Sequence, residues 1–438
     1  MHLRTDIILN WGRYEEHLDE AAFQWGQWER TLTASDQLLL EAAEAEEQLL
    51  ARLDALVLGG ERVAIRLLEP ALASDEPERL STAVFTLLGG DWSKSADAVL
   101  TLVENATPTA LEAVRRALEV LEPQTLPAWL PSLLDKAPPL QALALSAMGT
   151  HLIAPPAPLA RWVTAKETSV ATAALQAATR LRTRIEWPLL KQAISSHEPQ
   201  TRDAALIAAL LSGHTETWRI CRDMVVARHP GQTLPLLLLS LGAGPSGSTL
   251  LSPLADEPQS RADAVWALGF NGYVTAAETC LKYLDDDNVA PLAAEAFSAI
   301  TGLVLAKPFV EDKAESEDEA SDEGNGTAPT IHRPPGTGLP RPSTDDIRGW
   351  WAKNQKQFNP AVRYLRGQPW TPAAFLQGLW AEPMRRRHVL ALEATLRSQG
   401  AFQLQTQAFT RRQFIGLTSL REAPPTLTSR PLAEGLFS

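Results

Sequence analysis

The feature that most constrains this chain is a repeat of about 30 residues, plainest in Leu250–Leu303. There one pattern occurs twice: an apolar segment, an acidic turn, and an Ala-rich segment closed by glycine. The turns are Ala255-Asp256-Glu257-Pro258 and Asp285-Asp286-Asp287-Asn288, and the closing residues are Gly272 and Gly302. Ala293, Ala296, Phe297 and Ile300 follow helical spacing, so each unit reads as a helix–turn–helix with one apolar stripe. A glycine just past a helix supplies the left-handed backbone of a C-cap. Gly213 and Gly242 close earlier copies, and turns beginning at Ser74, Asn105, Asp135, Ala165 and Ser195 open others. About eight copies fit between Gly60 and Leu303. A unit this short cannot bury its stripe alone, so neighbours must stack. The expected fold class is all-α: an α-solenoid of HEAT-like helical repeats with a small, mainly helical C-terminal module.

Four segments are expected. Residues 1–58 form an N-terminal helical cap, with Leu18, Ala21, Ala22 and Trp25 on the apolar side of a first helix. Ser35-Asp36 is expected to cap a second helix whose Leu49, Leu50, Leu53, Val57 and Leu58 face inward and whose Glu41, Glu44, Glu46 and Glu47 face out. Residues 59–305 form the repeat array; Trp187-Pro188 and Leu126-Pro127 place proline in first helical turns, where it is tolerated. Residues 306–340 are an acidic and then Gly/Pro-rich linker, too poor in apolar groups to order itself. Residues 341–438 form the C-terminal module. Its helices are expected over DDIRGWWAKNQKQF, AAFLQGLW and MRRRHVLALEATLRSQG, followed by an alternating stretch, Ala401–Phe414, read as a short extended strand, and a frayed tail.

Charge narrows the function. The formal net charge is −12, which disfavours a general nucleic-acid binder, because phosphate neutralisation needs basic surface. The first 58 residues carry four arginines against twelve carboxylates, whereas the tail from Gly324 has fifteen Lys/Arg against six Asp/Glu. No apolar run reaches membrane-spanning length and the N-terminus lacks a secretory pattern, so a cytoplasmic location is expected. The two cysteines, Cys221 and Cys280, read as buried thiols of a reducing compartment, with a disulfide as the alternative.

No HExxH, CxxC pair, P-loop, GxSxG or calcium-loop pattern occurs, so no enzyme, metal or cofactor is expected. The Asp285-Asp286-Asp287 run suits the N-terminal turn of a helix better than a metal. Arg385-Arg386-Arg387 suits a helix face paired with array carboxylates better than a phosphate site. Trp350-Trp351 is expected against the last repeat. The expected partner-binding carboxylates are Asp75, Glu76, Asp256, Glu257, Asp285, Asp286 and Asp287 along the turns, and Glu15, Glu16, Asp19 and Glu20 on the first helix.

Three stretches, EEHLDEAAFQW, YLDDDNVAPLAAEAFSAITGL and LPRPSTDDIRGWWAKNQKQFNPAVRYLRGQPWTP, resemble a bacterial HEAT-like repeat family whose genes lie beside type VI secretion spike genes. The resemblance covers nearly the whole chain, apart from the acidic insert near Glu315. At least one family member is an immunity protein against a PAAR-linked toxin with a GHH-type DNase domain. The resemblance therefore implies a type VI secretion immunity protein that binds a cognate nuclease toxin, 1:1, and occludes its DNA-binding or active site. An adaptor or chaperone loading an effector onto its spike is the alternative. Enzymatic relatives on HEAT-like scaffolds, such as DNA glycosylases, need a basic, aromatic-lined face, which the acidic array does not offer.

Overall fold

Each acidic or proline-bearing turn is followed at once by a helix of 11–13 residues. A computed structural model describes residues 9–90, 92, 94–311, 338–427 and 429–433. The helices after the turns are Pro77–Gly89, Pro108–Val120, Pro138–Thr150, Thr168–Arg180, Pro199–Leu211, Arg261–Asn271 and Ala290–Thr301. Proline at the first helical position loses no hydrogen bond there and is preset for helical φ. Thr107 adds a side-chain cap, accepting from Ala110 N at 3.2 Å. The chain is all-α; among the described residues the only strands are Tyr364–Leu365 and Gln368–Pro369, a two-residue hairpin.

These helices form a row. Trp11–Thr31 packs on Pro77–Gly89, and each later member packs on the next as far as Pro199–Leu211. Glu216–Val226 links that helix to Thr233–Gly242, and the row resumes through Arg261–Asn271 to Ala290–Thr301. A second layer lies against the row, including Leu39–Leu58, Ser95–Asn105, Trp187–Ile194, Pro245–Ala255 and Val274–Leu281. The Leu126-Pro127 position is not an α-helix: 3-10 turns at Pro123–Thr125 and Leu130–Asp135 replace it.

Gly272 and Gly302 are left-handed caps with φ 81° and 77°. Gly302 is doubly required, since a Cβ there would lie 2.6 Å from Arg366 O. Gly242 works differently. It is the last residue of its helix, and a Cβ would lie 2.6 Å from the Trp218 ring. Close approach, not a left-handed turn, selects glycine there.

Several side chains depart from the sequence expectation. The second helix starts at Leu39, so Ser35-Asp36 is not its cap; the Glu41 carboxylate accepts from Leu38 N at 2.6 Å instead. Leu56 is buried in place of Leu58, which is 85 % exposed. Glu46 faces in, accepting from Thr410 N (2.7 Å) and Thr410 Oγ1 (3.0 Å). Residues 401–409 are irregular, and Thr410–Glu422 is a helix rather than a strand. Gln413, Leu417 and Leu420 are buried on one side of that helix. Both cysteines are buried free thiols, pushed by burial up to about 12. Trp350 and Trp351 meet Phe297 edge-on at 6.1 and 5.5 Å, as expected.

The C-terminal segment decides the architecture. Residues 309–311 and 341–343 pair antiparallel, so the chain rejoins the array where it left; the segment between, including most of the expected linker, lies outside the described residues. From there the chain runs back along the C-terminal ends of the row. A helix leaves its last four carbonyls without internal partners, and these carbonyls are what the returning segment binds. Tyr364 N donates to Gly272 O and Arg366 N to Ala299 O, each at 2.7 Å. Arg363 reaches Phe270 O at 3.0 Å and Arg386 reaches Gly269 O at 2.9 Å. Gln403 Nε2 donates to Thr179 O and Arg180 O at 3.0 Å, and Gln405 Nε2 to Thr150 O at 2.8 Å. Arg412 donates to Glu119 O, Val120 O and Leu121 O. Phe409 then packs on Trp28 and Phe85, at 4.6 and 5.7 Å between ring centres. The tail expected to fray is tied down at Ala433, whose N–H donates to Gly242 O at 3.1 Å.

This strap also joins the two ends of the array. Arg385 N donates to Ala34 O at 3.1 Å, while its guanidinium pairs with Glu295 at 2.6 Å. One residue thus touches both the first helix pair and the last helix of the row. Arg386 pairs with Glu382 at 3.0 Å. Arg387 departs from the expected carboxylate pairing: it donates to Leu379 O and Gln413 Oε1, and burial without a counter-charge pushes it down to about 10.

Beneath the strap Glu393 is fully buried and accepts from Arg363 and Arg397, which hold its carboxyl below the usual range against the opposing effect of burial. Glu393→Gln leaves two guanidinium groups without their counter-charge. It is expected to cost about 3–5 kcal/mol in urea unfolding; a loss under about 1 kcal/mol would contradict the assignment. His388 is the second test. Nε2 donates to Leu32 O (2.8 Å), so Nδ1 accepts from Thr406 Oγ1 (2.6 Å). Burial pushes this imidazole down to about 4 from 6.5. Between those values the unfolded chain binds a proton that the folded chain does not, so stability falls as pH is lowered through that window. His388→Gln should flatten that part of a pH series of melting temperatures.

Candidate partner interface

The carboxylates named from sequence fall into two groups with different fates. Along the late turns each one is engaged inside the molecule. Glu257 accepts two bonds from Arg228 at 2.9 and 2.6 Å, which holds its carboxyl below the usual range. Asp256 accepts from the Tyr283 hydroxyl at 2.6 Å. Asp286 pairs with Arg261 at 2.6 Å and accepts from Asn288 N, so it too sits below the usual range. Asp285 binds Arg348 at 2.7 Å and Asp287 binds Arg341 at 2.6 Å. Arg341 and Arg348 belong to the returning segment, so the Asp285–Asp287 turn is a seat for that segment.

The early carboxylates behave otherwise. Asp19 on the Trp11–Thr31 helix pairs with Arg79 in the first turn of Pro77–Gly89. That pairing ties the first helix to the start of Pro77–Gly89, just past the Ser74–Glu76 turn. Glu20 pairs with Arg52 at 2.8 Å. Glu15, Glu16, Asp75 and Glu76 are exposed, and their side chains have no ion pair among the described residues. Between the two elements lies a cleft of about 470 Å³ lined by Glu15, Leu18, Arg66, Leu67, Pro70 and Ala71, with Ala73, Ser74 and Arg79 at its edge.

Local sequence explains the far wall. Pro70 has no N–H for the carbonyl of Arg66, and its ring crowds that carbonyl. The helix widens instead into one π turn, Ala64–Leu68, closed by Glu69 N to Ala64 O. Single π turns inside helices occur often at functional sites. Here the turn sets Arg66 over the Trp11 ring, 4.2 Å from its centre. Sequence reading missed Arg66, Leu67 and Arg79 as part of this surface. The available signal was proline within an otherwise helical pattern.

A second cleft, of about 390 Å³, lies where the ends of Thr168–Arg180 and Pro199–Leu211 meet Gln399-Gly400; Arg182 and Arg184 line it. Three helix C-termini converge there, and their partial negative charge already accounts for two arginines. Among the described residues no group of three or more His, Cys, Asp or Glu is placed to hold a metal ion. No helix among them is long and apolar enough to cross a membrane.

Charge reversal separates the two groups. Asp285→Lys with Asp287→Lys should repel Arg348 and Arg341 and loosen the returning segment, read as faster proteolysis near 341–348. Glu15→Lys with Glu16→Lys should leave that pattern unchanged.

No family model and no curated protein matches this chain. Among solved structures it is similar to YibA of Escherichia coli, at 14% identity over 68% of this chain and 99% of that one, with a TM-score of 0.28. That likeness is too distant to assign a family or an activity.

Proposed function

We propose that this chain is a stoichiometric inhibitor: a type VI secretion immunity protein that binds a cognate nuclease toxin in the cytoplasm, one to one, and blocks its DNA-binding or active site. The proposal draws on the resemblance of the three stretches named above. The observation that supports it is four exposed carboxylates without an ion pair among the described residues, Glu15, Glu16, Asp75 and Glu76, of which Glu15 lines the 470 Å³ cleft. A DNase surface must be basic to bind phosphates, and unpaired carboxylates complement it. Asp256, Glu257 and Asp285–Asp287 drop out of the proposed contact, because arginines and Tyr283 of the same chain already occupy them. The protein acts by occupancy in this reading, with no reaction and no cofactor.

Exposed charges act chiefly on association rate. Glu15→Lys with Glu16→Lys and Asp75→Lys should slow association with the toxin by about tenfold or more at low salt and flatten its salt dependence. Growth of cells expressing the toxin provides the functional readout. Wild-type protein should restore growth and the triple variant should restore less. A protein that binds the effector yet leaves the toxin lethal would overturn the immunity reading and favour the loading role.

A further inference from the structure

The second cleft, of about 390 Å³, carries charge of one sign: Arg182 and Arg184 line it, and no carboxylate does. Both arginines are exposed, and neither has an ion pair among the described residues. Arg184 donates to Ser212 O at 3.2 Å, and the Arg182 guanidinium has no hydrogen bond among those residues. Thr183 and Gln399 add a hydroxyl and an amide to the lining. The backbone is strained at both walls. Arg182 and Gln399 are left-handed, with φ 54° and 51°, a conformation unfavourable to any residue with a Cβ. The next repeat has Gly213, φ 87°, at the place of Arg182. Gly400 leaves room for the Arg182 stem, since a Cβ there would lie 3.3 Å from Arg182 Cγ. Strain of this kind collects at ligand sites.

The helix ends explain why arginines stand here, but they do not use up the donors. Thr179 O and Arg180 O accept from Gln403 at 3.0 Å. Ala178 O accepts from Thr183 N, and Ala209 O from His214 N. The carbonyls at these helix ends therefore already face donors of the same chain. Beyond them the cleft offers two positive charges with N–H and O–H groups.

We infer that this cleft is a binding site for the phosphate group of a small molecule. The inference goes beyond the immunity reading and does not depend on it. A guanidinium holds its N–H donors in a fork that fits the oxygens of carboxylate and phosphate. Two such forks, with Thr183 and Gln399 beside them, offer more donors than the two oxygens of a carboxylate can accept. A phosphate monoester presents three acceptor oxygens and a charge of about −1.5 to −2, which matches both the donors and the two arginines. Nucleic acid is disfavoured: its backbone is held by many cations, and this cleft has two, in a chain of net charge −12. The volume lies in the range of small-molecule sites and exceeds one phosphate group. Leu211, half-buried in the wall, gives the rest of a ligand an apolar contact.

The test uses the full chain, isotope-labelled at leucine methyl and arginine Nε–H groups, at low salt, where exposed charges are least screened. It is titrated with inorganic phosphate, phenyl phosphate and acetate. Both phosphates should shift the Arg182, Arg184 and Leu211 signals saturably, and acetate should bind at least about tenfold more weakly. Arg182→Gln and Arg184→Gln should each weaken phosphate binding about tenfold without changing the melting temperature. Arg182→Lys should restore only part, because an ammonium keeps the charge and loses the fork. Arg13→Gln, on the first helix, should leave binding unchanged. Tighter binding of phenyl phosphate would assign the cleft to a phosphate ester, and equal binding to free phosphate. Shifts spread over every exposed arginine, acetate bound as tightly as phosphate, or binding indifferent to Arg182→Gln and Arg184→Gln would overturn the proposal. No toxin enters the test, so its outcome is independent of the immunity reading.

Discussion

The returning C-terminal strap is the constraint on which the rest depends. Every helix ends with carbonyls that its own backbone cannot satisfy, and a row of parallel helix ends concentrates them, with their partial negative charge, on one side. Arg363, Arg386, Gln403, Gln405 and Arg412 meet that side with donors. Three of the five are cations, which complement the helix ends doubly. Removing any one donor costs little on its own, about 0.5–1.5 kcal/mol for an ordinary hydrogen bond and more for a charged one. The strap touches helices from Trp11–Thr31 to Ala290–Thr301, so it couples units that would otherwise interact with nearest neighbours alone.

The same strap explains why the uneven charge of the chain does not translate into two free surfaces. Part of the basic excess after Gly324 is taken up by the acidic array: Arg385 with Glu295, Arg341 with Asp287, Arg348 with Asp285. At the N-terminal end Glu15, Glu16, Asp75 and Glu76 stay exposed, with no ion pair among the described residues. The function proposed for the chain uses those carboxylates.

Much of this was legible in the sequence, and the failures have physical causes. The turns and closing glycines located the helices because proline, acidic N-terminal turns and left-handed caps act through local backbone geometry. Leu18, Ala21, Ala22 and Trp25 were recognisable as core for the same reason: one helix face, one period. Glu46 was misplaced because its burial is set by Thr410, 364 residues away, and local patterning carries no trace of such a partner. Ala401–Phe414 was misread because alternation over so few residues does not separate a strand from an irregular connection: 401–409 are irregular and a helix starts at Thr410. The turn carboxylates Asp256, Asp285 and Asp287 had the residue types of a binding edge. Sequence could not show that Arg348 and Arg341 pair with Asp285 and Asp287, since those pairings depend on where the chain returns. The cleft at Arg66 was hidden for a different reason: a π turn follows from how a helix accommodates Pro70, a choice that packing makes.

If the strap binds the array into one cooperative unit, disturbing it at one end must be felt at the other. Amide hydrogen exchange on Glu393→Gln tests this most directly, because Glu393 makes its contacts with Arg363 and Arg397 and none with the first helix pair. The account predicts that protection falls together, and by similar factors, in Trp11–Thr31 and in Ala290–Thr301. Loss of protection confined to the C-terminal segment and the last helices, with Trp11–Thr31 unchanged, would contradict it.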